Sequence, residues 1–152
     1  MLLFCLACSA LYALFNPLAM VFYPGGTLID HDAEGYSFLA NFFSDLGMTR
    51  TYAGEAKVLS LILFATALAL MGIALVLFFV IMPGSFTETR LARAISWLGS
   101  IGGVVAGFSC IGIAATPWDV HLGAHMVFSR ALSVSFLLAV VCYVVAISRS
   151  ET

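Results

Sequence analysis

Charge is scarce in this chain. Asp, Glu, Lys and Arg make up 9% of its 152 residues, against roughly 25% in an ordinary soluble domain. Too little polar surface remains to cover a water-soluble globule. With 62% hydrophobic residues and a mean hydropathy of +1.10, an integral membrane protein is the class that fits. There is no basic run, no P-loop and no dinucleotide fingerprint. The net charge of −2 is too small to draw nucleic acid. Cysteine is sparse too: Cys5, Cys8, Cys110 and Cys142 all lie inside apolar runs. A thiolate at Cys5 or Cys8 would have to form in hydrocarbon with no cation nearby. The C-x-x-C spacing therefore reads as small packing residues rather than a redox or zinc motif, and no disulfide framework is implied.

Four apolar runs are long enough to span a bilayer. They predict helices over about 2–22, 58–82, 95–116 and 122–147, in one domain covering 1–152. The first run has no basic n-region and no cleavage site, so it reads as a retained helix rather than a secretory signal. One side of the membrane, side A, then holds the N-terminus, the 83–94 loop and the C-terminus. Side B holds the other two loops. Lysine and arginine divide evenly between the sides. Arg90 and Arg93 sit in a short loop, where the positive-inside rule is strongest, so both termini are expected in the cytoplasm.

The polar residues are concentrated on side B. All three histidines and six of the eight carboxylates lie there, in a first segment from Tyr23 to Lys57 and a second from Pro117 to His125. In the first, Phe38, Leu39, Phe42, Phe43 and Leu46 form one apolar face opposite Ser37, Asn41, Ser44 and Asp45. That pattern predicts a short interfacial helix over about 35–46. Helix three carries Gly99, Gly103 and Gly107 at i, i+4 and i+8. Small residues in register let helix backbones approach closely in lipid, and Ala65, Ala69 and Gly72 on helix two offer an opposing surface.

Three constellations could carry chemistry. His121 and His125 are four apart, the spacing that stacks two imidazoles on one helix face to grip a metal. Asp119 just upstream is a third candidate ligand, or a partner that orients His121. No acidic base lies between the histidines. Hydrogen bonding to loop backbone or water is the simpler role for this pair. Asp45, with Ser44 beside it, is the candidate catalytic residue, and it could equally face water. Arg130 lies inside the fourth apolar run, where it either pairs with a side-B carboxylate, Asp45 first and Asp119 second, or snorkels to the interface. Haem fits poorly, because His121 and His125 share one segment and His31 lies in a loop.

Tyr23-Pro24-Gly25-Gly26, Asn41-Phe42-Phe43-Ser44-Asp45-Leu46-Gly47 and Thr116-Pro117-Trp118-Asp119, followed by His121 and His125, resemble the multi-pass membrane family catalogued as domain of unknown function 998. That family has a Ser-Asp-Leu-Gly segment after its first helix and a Pro-x-Asp then His segment between its third and fourth. Its members generally have about six helices, and four are predicted here. The resemblance implies topology rather than a reaction. A fainter likeness is to membrane hydrolases of the alkaline-ceramidase type, which use serine, aspartate and histidines around zinc. Only Ser44, Asp45, His121 and His125 could correspond, and the motif order differs.

The expected fold is all-α: a polytopic four-helix membrane bundle with a short interfacial helix in the first loop. The leading expected function is non-catalytic, a small integral membrane protein packing against lipid, partner subunits or further copies of itself. The alternative is a metal-assisted hydrolase, using zinc or another divalent ion, that acts on a lipid head group or ester at the extracytoplasmic face.

Overall fold

A computed structural model describes residues 1–86 and 89–150. Four α-helices account for most of it: α1 (Leu2–Val21), α2 (Val58–Ile81), α3 (Arg90–Ala115) and α4 (Trp118–Ser150). Each is long and apolar enough to cross a membrane. Most large apolar side chains on α1 and on the outer faces of α3 and α4 are exposed, as expected where lipid is the solvent.

The helices pack in chain order, α1 on α2, α2 on α3 and α3 on α4. α3 sits inside and contributes the most buried residues. Its glycines explain how it fits there. A Cβ on Gly107 would lie 2.7 Å from the Gly72 carbonyl oxygen, and one on Gly103 would enter the Phe79 ring. Gly99 faces the other way, against Cys142 and Tyr143 of α4. Thus two of the three glycines seat α2, and the third seats α4. Ser100 ties all three helices together: its hydroxyl donates to the Phe79 carbonyl and shares a 2.6 Å hydrogen bond with the Tyr143 hydroxyl. The cysteines serve as small packing groups. Cys5 and Cys8 are buried with Ala74, and the Cys110 thiol reaches the Leu68 carbonyl at 3.3 Å.

Three boundaries depart from those expected. α3 begins at Arg90, before the uncharged run, because the Thr89 hydroxyl accepts from the Ala92 amide and caps the helix. α4 begins at Trp118 with one turn that breaks at His121 (φ −127°, ψ 48°) before the long helix continues. The interfacial helix over 35–46 does not form. One turn closes at Ser37–Asn41, the chain then extends through Phe42 (ψ 147°), and a short 3-10 helix follows at Phe43–Gly47. The cause lies in two polar side chains. The Asn41 carboxamide oxygen accepts from the Ser37 amide, and the Asp45 carboxylate accepts from the Phe42 amide. Each occupies a backbone donor, and such bonds compete with continuous helix. The apolar face is thereby split. Leu46 is buried in the bundle, while Phe38 and Leu39 stay 79% and 97% exposed.

Candidate functional site

The side-B loop folds into a cap. Gly25 and Gly26 have positive φ (144° and 88°), and a Cβ on Gly25 would lie 2.3 Å from the Ala33 carbonyl oxygen, so only glycine fits this crossing. The loop returns on itself through bridges between Gly25 and Glu34 and between Arg50 and Ala56.

Asp45 stands at the centre of the cap with no exposed surface. One carboxylate oxygen accepts from the Phe42 amide (2.9 Å) and the Asn41 carboxamide (3.1 Å), and the other accepts from the Tyr52 hydroxyl (3.2 Å). Lys57, only 2% exposed, lies below it. Its ammonium donates to the carbonyls of Asp45, Leu46 (2.8 Å) and Met48 (3.3 Å), and it lies 4.7 Å from the centre of the Tyr23 ring. Three N–H donors meet three acceptors, so the buried cation is fully bonded. The Ser60 hydroxyl adds a bond to the Leu46 carbonyl. Burial pulls the Lys57 amine down to about 8, against the opposing pull of the Asp45 and Asp119 carboxylates. Burial, with the Asp45 charge beside it, pushes the Tyr23 phenol up to about 12 and raises Tyr52 as well.

These partners revise the expected chemistry. Asp45 does not pair with Arg130. Its oxygens accept from three donors of its own loop, two on Oδ2 and one on Oδ1. Arg130 is exposed on α4 and has no hydrogen bond or ion pair among the described residues. Asp119 does not pair with it either. The Asp119 carboxylate accepts from the Thr49 amide (2.9 Å), the Thr49 hydroxyl (2.6 Å) and the Arg50 amide (3.3 Å), clipping the cap to the start of α4.

The histidine pair is also divided. The backbone break falls on His121, so the helical phase that would stack it on His125 is lost. His121 is exposed. His125 is 6% exposed, and its Nδ1 lies 2.8 Å from the Thr116 carbonyl oxygen. A carbonyl only accepts, so Nδ1 carries a proton and donates it. His31 stacks on Tyr52 (5.7 Å between centroids), and Tyr52 in turn meets Trp118 (6.2 Å). The three histidines thus share the side-B end without converging. Among the described residues no three His, Cys, Asp or Glu side chains gather to hold a metal ion. The expected zinc set of His121, His125 and Asp119 is not gathered among the described residues: the backbone breaks at His121, and Asp119 Oδ2 accepts the three bonds of the clip.

The structure instead offers a cleft. α1 and α4 do not pack on one another, and the gap between them is a cavity of about 670 Å³. Tyr12 of α1, Phe64 of α2, Ile113 of α3 and Leu122, Met126 and Leu132 of α4 form its apolar walls. Ser44, His125, Ser129 and Ser133 are its polar members. Phe42 and Phe43 of the cap and Trp118 close its side-B end. The Ser133 hydroxyl donates to the Ser129 carbonyl, which satisfies it within α4. The cleft-lining positions of α4 recur at helical spacing, but their partner wall is α1, more than a hundred residues away. Asn41, Thr49, Tyr52 and Lys57 carry the cap. Of these, only Asn41, four residues before Asp45 in a polar stripe, shows its part in the sequence pattern.

This is an all-α integral membrane protein of four helices, with a folded polar cap on one side and a lateral cleft beneath it. No known protein family, curated protein or solved structure matches the chain.

Proposed function

We propose that this chain is a small non-catalytic integral membrane protein that holds an acyl chain of a membrane lipid in the cleft between α1 and α4. The observation that carries this reading is the cleft itself: about 670 Å³ with mostly apolar walls, between two helices that leave a gap facing lipid. Ligand cavities run about 300–1,000 Å³ and are lined mostly by hydrophobic side chains with a few polar groups. From Leu122 to Ser133 the α4 wall is about 16 Å long at 1.5 Å per residue. That matches one leaflet, about half of a ~30 Å hydrocarbon core. The bonds around Asp45, Lys57 and Asp119 support a structural role for the cap, which fixes the upper end of the cleft. On this reading side B faces away from the cytoplasm, as Arg90 and Arg93 at the side-A end of α3 favour. The resemblance to domain of unknown function 998 rests on the same segments, Tyr23–Gly26, Asn41–Gly47 and Thr116–His125. It makes membership of that family part of this proposal.

Trp118 lines the cleft and Trp97 is exposed on α3, so a Trp97→Phe variant reports on the cleft alone. Phospholipid brominated on its acyl chains should quench Trp118 and saturate near one lipid per protein. Ser129→Phe, which fills the cleft, should abolish the saturable phase. Quenching that merely tracks the mole fraction of brominated lipid, unchanged by Ser129→Phe, would refute the reading.

A further inference from the structure

We propose that the cleft selects a phospholipid, whose phosphate is held by the Arg130 guanidinium at the cleft rim while one acyl chain lies inside. This inference rests on the cleft being a lipid site and adds the chemistry of the head group.

Arg130 stands apart from the other side-B cations. Lys57 is spent on three carbonyls, and the Arg50 guanidinium donates to the Gly54 carbonyl at 3.0 Å. Arg130 is exposed with no bond or ion pair among the described residues. Its depth follows from the α3–α4 packing. A Cβ on Gly112 would lie 2.4 Å from the Phe128 ring, so that level of α4 is about one turn below the side-B end of α3. Arg130 is two residues further on, about 3 Å deeper. Side chains of a helix lean toward its N-terminus, which for α4 is the side-B end. The guanidinium therefore rises toward the level of lipid phosphates, as arginines inside a membrane edge do.

Its direction around α4 places it beside the cleft. At 100° per residue Arg130 lies about 40° from Met126 and about 60° from Ser133, and both of these line the cavity. An apolar groove with one unneutralised cation at its interfacial rim is complementary to a lipid with an anionic phosphate. Guanidinium and phosphate match as bidentate partners. The acidic residues that would repel it are elsewhere: Asp32, Glu34 and Glu55 line a separate recess of about 210 Å³ with His31, and Asp119 is engaged by Thr49 and Arg50.

The test compares two brominated lipids with identical acyl chains, phosphatidylglycerol and diacylglycerol, titrated in detergent into the Trp97→Phe protein. Phosphatidylglycerol should reach half-saturation at a concentration about tenfold lower, the low end for charge-assisted bonds. Arg130→Gln should bring the ratio near one by weakening phosphatidylglycerol alone. Arg130→Lys should retain part of the preference, and Arg149→Gln, on side A, should leave it unchanged. Saturable quenching by both lipids with equal affinity, insensitive to Arg130→Gln, overturns the phosphate contact and leaves the acyl-chain site standing. Absence of saturable quenching by either lipid overturns both. A dimer in detergent in which Trp118 becomes inaccessible assigns the cleft to a second copy of the chain, and also overturns both.

Discussion

Replacing Asp45 separates a structural carboxylate from a catalytic one. Asp45→Ala removes the acceptors of three donors. The Asn41 carboxamide keeps a second bond, to the Gly26 carbonyl at 2.8 Å, so the orphaned groups are the Phe42 amide and the Tyr52 hydroxyl. Leaving a buried donor unsatisfied costs about 1–3 kcal/mol. Both groups are only partly enclosed, so the low half of that range applies to each and the sum is about 3 kcal/mol. For a chain of this size that corresponds to a fall in melting temperature of roughly 6–12 °C. Asp45→Asn keeps one acceptor oxygen for Phe42 and Asn41, and its amide can donate to the Tyr52 oxygen. It loses charge beside Lys57 and turns the proton of the half-buried Tyr52 hydroxyl toward solvent, but it keeps the Phe42 bond, so its cost should stay at about 1 kcal/mol. The assay is thermal unfolding in detergent followed by tryptophan fluorescence, with the brominated-lipid titration run in parallel. Asp45→Ala should melt far below Asp45→Asn, and the folded Asp45→Asn protein should bind lipid as the parent does. Equal melting temperatures for the two variants, within about 0.5 kcal/mol of the parent, would refute the bonding of Asp45 in the cap.

Two further outcomes follow from the same geometry. Gly103→Leu drives a side chain into the Phe79 ring. It should lower the melting temperature well beyond Val105→Leu, whose site faces outward on the same helix; equal tolerance would remove the close α2–α3 approach. Lys57 gives a signed pH effect. Its folded value is lowered from 10.5 to about 8, so between those pH values the unfolded chain holds the proton more often and stability should rise with pH. At about 1.4 kcal/mol per unit the rise is limited to about 3 kcal/mol. Lys57→Met should be less stable at pH 7, because three carbonyls lose their donor, and should lack this rise. A parent protein whose stability falls from pH 8 to 10, in parallel with Lys57→Met, would contradict the burial of the amine.

The predicted interfacial helix shows where pattern reading stopped. Periodicity placed Phe38, Leu39, Phe42, Phe43 and Leu46 on one face, and period alone favoured helix. The competing local bonds of Asn41 and Asp45 to the Ser37 and Phe42 amides were invisible to it, because periodicity counts apolar positions and not side-chain acceptors, and the Gly26 carbonyl and Tyr52 hydroxyl that hold the two side chains come from elsewhere in the cap. The His121–His125 pair went wrong for the same reason. Four-residue spacing stacks two rings only on unbroken helix, and the first turn after Pro117 breaks at His121.

What the sequence determined by itself is whatever the solvent and local periodicity impose. Four apolar runs cannot satisfy their backbones in lipid except as helices, and their alternating direction then sends most of the polar residues to one side. Glycines at i, i+4 and i+8 mark a close contact, since only small residues permit it. The tertiary structure decided everything that joins distant segments: which helix each glycine meets, Lys57 against three carbonyls of the 3-10 turn, Asp119 clipped to Thr49, Arg130 left without a carboxylate, and a cleft between α1 and α4. Those outcomes depend on how completely each polar group is satisfied once the helices have docked. That satisfaction is a property of several segments at once, and no single stretch of the chain encodes it.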